Sequence, residues 1–131
     1  MDEFTVQTNS HTEFVNIDSK IQEVIEEQEI AEGLCHLFVP HTTAAITVNE
    51  NADPNVCVDM ETILDRLVPR TGGYAHSEGN SAAHAKASMI GFSETLFIQN
   101  GHLALGTWQS VYFCEFDGPR RRKVWVRTAP G

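Results

Sequence analysis

The chain has no apolar run approaching the ~20 residues needed to cross a bilayer. Its first residues, "MDEFTVQT", are acidic and lack the apolar stretch of a secretory signal. Cysteine is scarce. Cys35, Cys57 and Cys114 are odd in number, far apart and form no C-x-x-C pair, which argues against a zinc knuckle and a disulfide framework. Each sits beside aliphatic or aromatic residues and is expected to be a buried, reduced thiol of a cytoplasmic protein. Positive charge is also scarce over most of the chain. Residues 1–118 hold eighteen acids against four bases, a net −14. Such a surface disfavours nucleic acid. Only the end of the chain is basic, with Arg120, Arg121, Arg122, Lys123 and Arg127. That cluster is either a small polyanion site or a solvated strand edge, where like charge discourages edge-to-edge pairing.

What is present is an ordinary globular composition, 41% hydrophobic and 21% charged, in 131 residues. That is enough for one domain over residues 1–131 with its own core. "FTVQT" alternates as a strand does. Asp18 is placed to cap a helix whose Ile21, Val24, Ile25 and Gln28 share a face, with Gly33 as its stop. "LCHLFV" and "AAITVN" read as strands either side of Pro40-His41-Thr42-Thr43. Asp53 and Pro54 open a second helix with Val56, Met60, Ile63, Leu64 and Leu67 as its apolar stripe, ending at Pro69. Residues 70–79 are loop, and Asn80 or Ser81 starts a short alanine-rich helix that Gly91 closes.

The remainder reads as β. Asn100-Gly101 marks a hairpin between "TLFIQ" and "HLALG". Residues 103–116 are long for one strand, so Gly106 is expected to mark a bulge or bend. Val111 and Phe113 lie on one face of that stretch, and Trp108, Tyr112 and Phe116 on the other. A strand apolar on both faces needs cover on both, from helices on one side and a second sheet or another subunit on the other. The expected class is α+β: antiparallel sheets in a sandwich-like arrangement, with about three helices.

The polar residues concentrate at breaks between these elements. His84 lies on a helix of small residues, where its ring nitrogens must find partners. Asn80 and Ser81 open that helix, and the unpaired backbone N–H groups of such a start can seat an anion. His41 sits at the Pro40 turn beside the hydroxyls of Thr42 and Thr43. Glu50 and Asp53 follow the next strand, although Asp53 by itself is most simply a cap. If the 70–80 loop folds over that end of a sheet, His41, Glu50, Asp53, His76, Glu78 and His84 converge. Imidazoles there suit proton transfer. Three neutral imidazoles, His41, His76 and His84, also suit zinc with an open position. No local spacing is a metal motif in its own right.

The runs "PHTTAAITVNENADPNV", "YAHSEGNSAAHAKASMIG" and "GHLALGTWQSVYFCEFDGPRRR" resemble the YjbQ family, described as secondary thiamine-phosphate synthase enzymes. The resemblance covers nearly the whole chain in order. Ala85 and the "QSVYF" run depart from the family's usual residues, and both affect packing more than chemistry. The resemblance implies an α+β, sandwich-like fold and a compact homo-oligomer, most often a trimer. It implies a pocket lined by the His-Thr-Thr turn and the two later histidines. It further implies a weak activity that joins a pyrimidine pyrophosphate to a thiazole phosphate and expels pyrophosphate.

That chemistry asks for a small phosphorylated ligand held by Thr42, Thr43, Asn80, Ser81, Lys86 and Arg120. It also asks for a divalent ion, magnesium on Glu50, Asp53 and Glu78 or zinc on the histidines, and an aromatic surface such as Trp108. Two other readings of the same residues stand beside it. One is a histidine-cluster metal protein with hydrolase-like chemistry. The other is a non-catalytic small-molecule binder.

Overall fold

A computed structural model describes all 131 residues. Eight strands and three helices follow the chain: β1 (Asp2–Gln7), β2 (Glu13–Asn16), α1 (Asp18–Glu27), β3 (Gly33–Phe38), β4 (Ala44–Glu50), α2 (Pro54–Leu67), α3 (Ser81–Ile90), β5 (Ser93–Gln99), β6 (His102–Ala104), β7 (Gln109–Glu115) and β8 (Arg121–Pro130). All pairings are antiparallel. They form a five-stranded sheet, β1-β8-β3-β5-β6, and a three-stranded sheet, β2-β7-β4. The fold is α+β.

Alternation along the strands builds the space between the sheets. Val6, Cys35, Leu37, Leu96, Ile98, Val124 and Val126 face inward from the larger sheet, and Ile46, Val111 and Phe113 from the smaller one. Helix α1 closes this core with Ile21, Val24 and Ile25, the helical stripe of the sequence. Burying each such side chain stabilises the fold by about 1.5–3 kcal/mol. The far face of the smaller sheet carries Ala45, Cys114 and Phe116, which pack on Leu64 of α2 and Ala83 and Ala87 of α3. The layers are therefore sheet, sheet and helices. Strand β7 is covered on both faces within one chain, and needs no second subunit for that.

Several local expectations are corrected. Asp18 is not a cap: Ile17 holds that position, and the Asp18 carboxylate instead accepts from Val111 N–H at 2.7 Å and Ser110 Oγ at 2.6 Å. Helix α1 ends at Glu27 rather than near Gly33, because Glu29 takes the left-handed conformation (φ 53°) and Gly33 opens β3. Gly106 does mark a break in residues 103–116, as expected, but a complete one: two strands in different sheets are joined by a turn in which Gly106 C=O accepts from Gln109 N–H at 3.0 Å. The Asp117-Gly118-Pro119 turn likewise carries the chain between sheets. The basic strand β8 is not an edge, since β1 and β3 flank it.

Asn100 and Gly101 form the hairpin turn as expected, both at positive φ. Asp53 caps α2 as expected, accepting from Asn55 N–H at 2.9 Å. The α2 stripe, however, is only grazed by the core. Leu64 is its one buried residue, whereas Ile63 and Leu67 are 49% and 64% exposed. On α3 the buried face is Ala82, Ala83, Lys86 and Ala87, and Met89 is exposed. Cys35 and Cys114 are buried as expected, but Cys57 is only half-buried. No helix is long and apolar enough to cross a membrane.

Candidate functional site

Where β3 ends, the ladder with β8 stops at Phe38↔Trp125. The chain turns away at Pro40, and β8 continues back through Lys123 and Arg122 beyond its β3 partner. The Lys123 N–H, on the side away from β1, thus has no strand to pair with, and it donates to His41 Nε2 at 2.9 Å. The imidazole completes the ladder. Arg122 has the same parity as Val124 and Val126, so its side chain turns into the protein, where it is 4% exposed.

The Arg122 guanidinium meets the fully buried Glu115 of β7. Nε donates to Oε1 at 2.8 Å, and Nη2 donates to Oε2. Nη2 also donates to Thr43 Oγ1 at 2.8 Å. Thr8 Oγ1 donates to Glu115 Oε1 at 2.7 Å and Asp117 N–H donates to Oε2 at 3.0 Å. Burial alone would push the Glu115 carboxyl up, but these donors more than offset it and hold it below the usual carboxylate range. Gly118 permits the close packing of this corner, since a Cβ there would lie 2.4 Å from Ser10 C=O. For His41, burial first and the Arg122 guanidinium second hold the imidazole below its ordinary pKa.

Opposite this corner stand the 70–80 loop and the start of α3. His76 and His84 meet edge to face, with ring centroids 5.6 Å apart. Glu78 lies 3.9 Å from His76 Nε2, beyond hydrogen-bond distance. Asn80 Nδ2 donates to Asp117 Oδ2 at 2.9 Å, while Asn80 Oδ1 is buried without a partner. Arg120 Nη2 donates to the same Asp117 oxygen at 2.9 Å. At the α3 start, Ala83 and His84 N–H both bond to Asn80 C=O, leaving the Ser81 and Ala82 N–H groups with no acceptor in the protein.

These two walls enclose a cavity of about 450 Å³ whose only apolar lining residue is Pro40. His41, His76, Glu78 and His84 converge on it, with Thr42, Thr43, Asn80 and Arg120, and Ser81 stands next to it in the chain. Other candidates lie elsewhere. Glu50 and Asp53 follow the far end of β4: Ala44, beside the cavity, pairs with Glu115, whereas Glu50 pairs with Gln109. Seven residues of strand separate the two ends by roughly 20 Å. Trp108 is at that far end, its C=O accepting from Asn51 N–H, with a side chain 62% exposed. Lys86 is buried against α2, pairing with Asp65 and lying 5.9 Å from the Phe116 ring centroid. It fixes α3 in place and does not reach the cavity.

Asp117 and Arg122 also line the cavity: the sequence reading missed Asp117, and it offered Arg122 only within the basic cluster, as a polyanion site or a solvated edge. A signal for Arg122 exists: a charged residue in register with two inward valines must have a buried partner. For Asp117 only the neighbouring turn gave any hint. No three His, Cys, Asp or Glu side chains are arranged to hold a metal ion. Of the three histidines, His41 has its Nε2 already accepting from Lys123 N–H.

The family model for UPF0047 protein YjbQ-like matches residues 2–130. The chain belongs to the YjbQ family. Among YjbQ relatives, the UPF0047 protein MJ1081 of Methanocaldococcus jannaschii is 46% identical, over 95% of this chain and 90% of its own. The UPF0047 protein YugU of Bacillus subtilis is 43% identical over 93% of each. The crystal structure of a YjbQ/UPF0047 protein from Clostridium acetobutylicum superposes with a TM-score of 0.95 at 46% identity, over 98% of this chain and 100% of that one. The conserved hypothetical protein TT1486 of Thermus thermophilus gives 0.93 at 43% identity, over 98% and 100%. The resemblance stated from the sequence motifs is thus established as family membership, and the fold agrees with that of YjbQ structures.

Proposed function

We propose that the cavity binds a small phosphorylated molecule and that His76 and His84 exchange protons with it. The observation that carries this reading is the gathering of hydrogen-bond donors around one polar cavity: Arg120 and the Thr42-Thr43 turn line it, and the start of α3, whose first N–H groups have no acceptor in the protein, adjoins it through Asn80. Such groups match phosphoryl oxygens in charge and direction. The two exposed-side histidines have no hydrogen-bonding partner that fixes either ring nitrogen, which suits a group that must both take and give a proton.

Family resemblance gives this reading a concrete reaction, thiamine-phosphate formation as a secondary activity. The thiazole nitrogen attacks the pyrimidine methylene, and pyrophosphate leaves with the bonding electron pair. Donors gathered on the departing pyrophosphate would stabilise its growing charge. The test is an assay for thiamine phosphate with purified wild-type protein and the His76→Ala and His84→Ala variants. Folded variants with undiminished turnover remove the histidine role.

A divalent ion is a second reading, favoured by the His76–His84 contact with Glu78 nearby. Closing these three side chains onto one ion requires movement of the exposed loop. Zinc fits that donor set better than magnesium, which prefers oxygen ligands. Elemental analysis of protein purified without a nickel column, followed by zinc titration, decides it. The reading assigns the site a small free ligand rather than nucleic acid or a membrane, and the setting we propose is the cytoplasm. The exposed apolar residues Val58, Ile63, Leu67 and Met89 support assembly with further copies, a trimer on the family resemblance. Light scattering measures that directly.

A further inference from the structure

We propose that His41 and Thr43 act only as hydrogen-bond donors toward the ligand, so that His41 is neither the base nor a metal ligand of this site. The assignment rests on the reading of the cavity as a phosphoryl site, and adds to it which groups do what.

The geometry at His41 is decisive for its proton. A neutral imidazole has one acceptor nitrogen and one donor nitrogen. Lys123 N–H donates to Nε2 at 2.9 Å, so Nε2 is the acceptor and Nδ1 carries the hydrogen. Nδ1–H is then the one polar position that His41 can offer the cavity. Binding a metal at Nδ1 would require removing that proton. Binding one at Nε2 would strand the Lys123 N–H, which β3 no longer serves. Protonating Nε2 would put two donors face to face. The first alternative demands an imidazolate, and the other two break the bond that closes the β8 ladder.

Thr43 is prepared in the same sense. It is 6% exposed, and its hydroxyl oxygen accepts from Arg122 Nη2 at 2.8 Å. Arg122 cannot swing away, because Glu115 holds its guanidinium through Nε and Nη2. The Thr43 hydroxyl hydrogen has no acceptor within the protein. Two side chains two residues apart therefore each present a hydrogen while a neighbour occupies an acceptor position. A ligand group that only accepts, such as an ionised phosphate or pyrophosphate oxygen, matches both. An amine or amide N–H does not. Proton exchange falls to the opposite wall, where the nearest polar contact of the His76 ring is Glu78 at 3.9 Å.

The experiment is long-range 1H–15N NMR of histidine-labelled protein near neutral pH, followed by calorimetric titration with inorganic pyrophosphate. The ligand-free spectrum is expected to show His41 as the Nδ1–H tautomer, unchanged when zinc is added. An Nε2–H tautomer, an imidazolium, or a zinc-induced change at His41 overturns its assignment whatever the titration shows. In the titration, Thr43→Val is expected to weaken pyrophosphate about tenfold or more, the loss of one hydrogen bond to a charged group, while Thr43→Ser stays near wild type. Thermal unfolding of both variants checks that they fold. If Thr43→Val misfolds, Thr43→Ala with the same readout replaces it. Equal affinity of wild type and a folded hydroxyl-less variant overturns the Thr43 assignment. If wild-type protein binds no pyrophosphate, the phosphoryl reading fails and the donor role falls with it, while the tautomer result still stands or falls by itself.

Discussion

The two walls of the cavity are built on opposite principles. The strand wall, His41, Thr43, Glu115 and Arg122, is buried or half-buried, and its groups are tied to one another or to β8. The loop wall, His76, Glu78 and His84, is more open, and its ring contacts are a 5.6 Å edge-to-face meeting and a 3.9 Å approach. The first has the rigidity to position a charged ligand. The second has no hydrogen bond that fixes its rings. The comparison teaches that a histidine's role is set by what its other nitrogen is doing, not by its presence in a pocket.

The largest expected effect lies in the strand wall. Arg122→Met removes the partner of a fully buried carboxylate and should cost about 3–5 kcal/mol of stability. In a domain of this size that is a fall of roughly 10–20 °C in melting temperature, read by calorimetry. Next is the device that anchors α3. Asp65→Ala strands the Lys86 ammonium, whose side chain is 6% exposed, and should cost about 1–3 kcal/mol in a denaturant titration.

A smaller effect is a dependence on pH. The folded state holds His41 below its ordinary value of 6.5, through burial first and Arg122 second. Over that window the unfolded chain binds more protons, so stability is full above 6.5 and falls as pH drops through the folded value. Glu115, also held below its ordinary 4.5, adds a second loss at lower pH. His41→Asn should flatten the first part of the melting-temperature profile between pH 7 and 5 and leave the second. The smallest effect belongs to the loop wall: His76→Ala should change stability by no more than about 0.5 kcal/mol, because that ring is exposed and supports nothing. A large loss there would break the comparison.

Much of this was legible beforehand for physical reasons. Strand alternation, the Asn100-Gly101 turn and the Asp53-Pro54 helix start are local signals, and local signals survive folding. The convergence of His41, His76 and His84 followed from placing polar groups at element breaks. What failed was long-range. Glu50 and Asp53 share a segment with His41 but sit a strand's length away, because β4 runs between them. Lys86 was read as a ligand group because its buried partner, Asp65, lies on another helix. Arg122 lies in a basic run that reads equally as a polyanion site or a solvated edge, and only the pairing of β8 between β1 and β3 shows that alternate residues point inward. Asp18 illustrates the same limit: the backbone it serves belongs to β7.

The central claim is that one rigid donor wall holds phosphoryl oxygens while a free histidine pair faces them. A crystal structure of the protein grown with inorganic pyrophosphate tests it most directly. The account predicts pyrophosphate oxygens within hydrogen-bond distance of His41 Nδ1 and Thr43 Oγ1, with the Lys123 N–H still bonded to His41 Nε2. Pyrophosphate bound away from this cavity, or a His41 ring turned so that Nε2 meets the ligand, would contradict it.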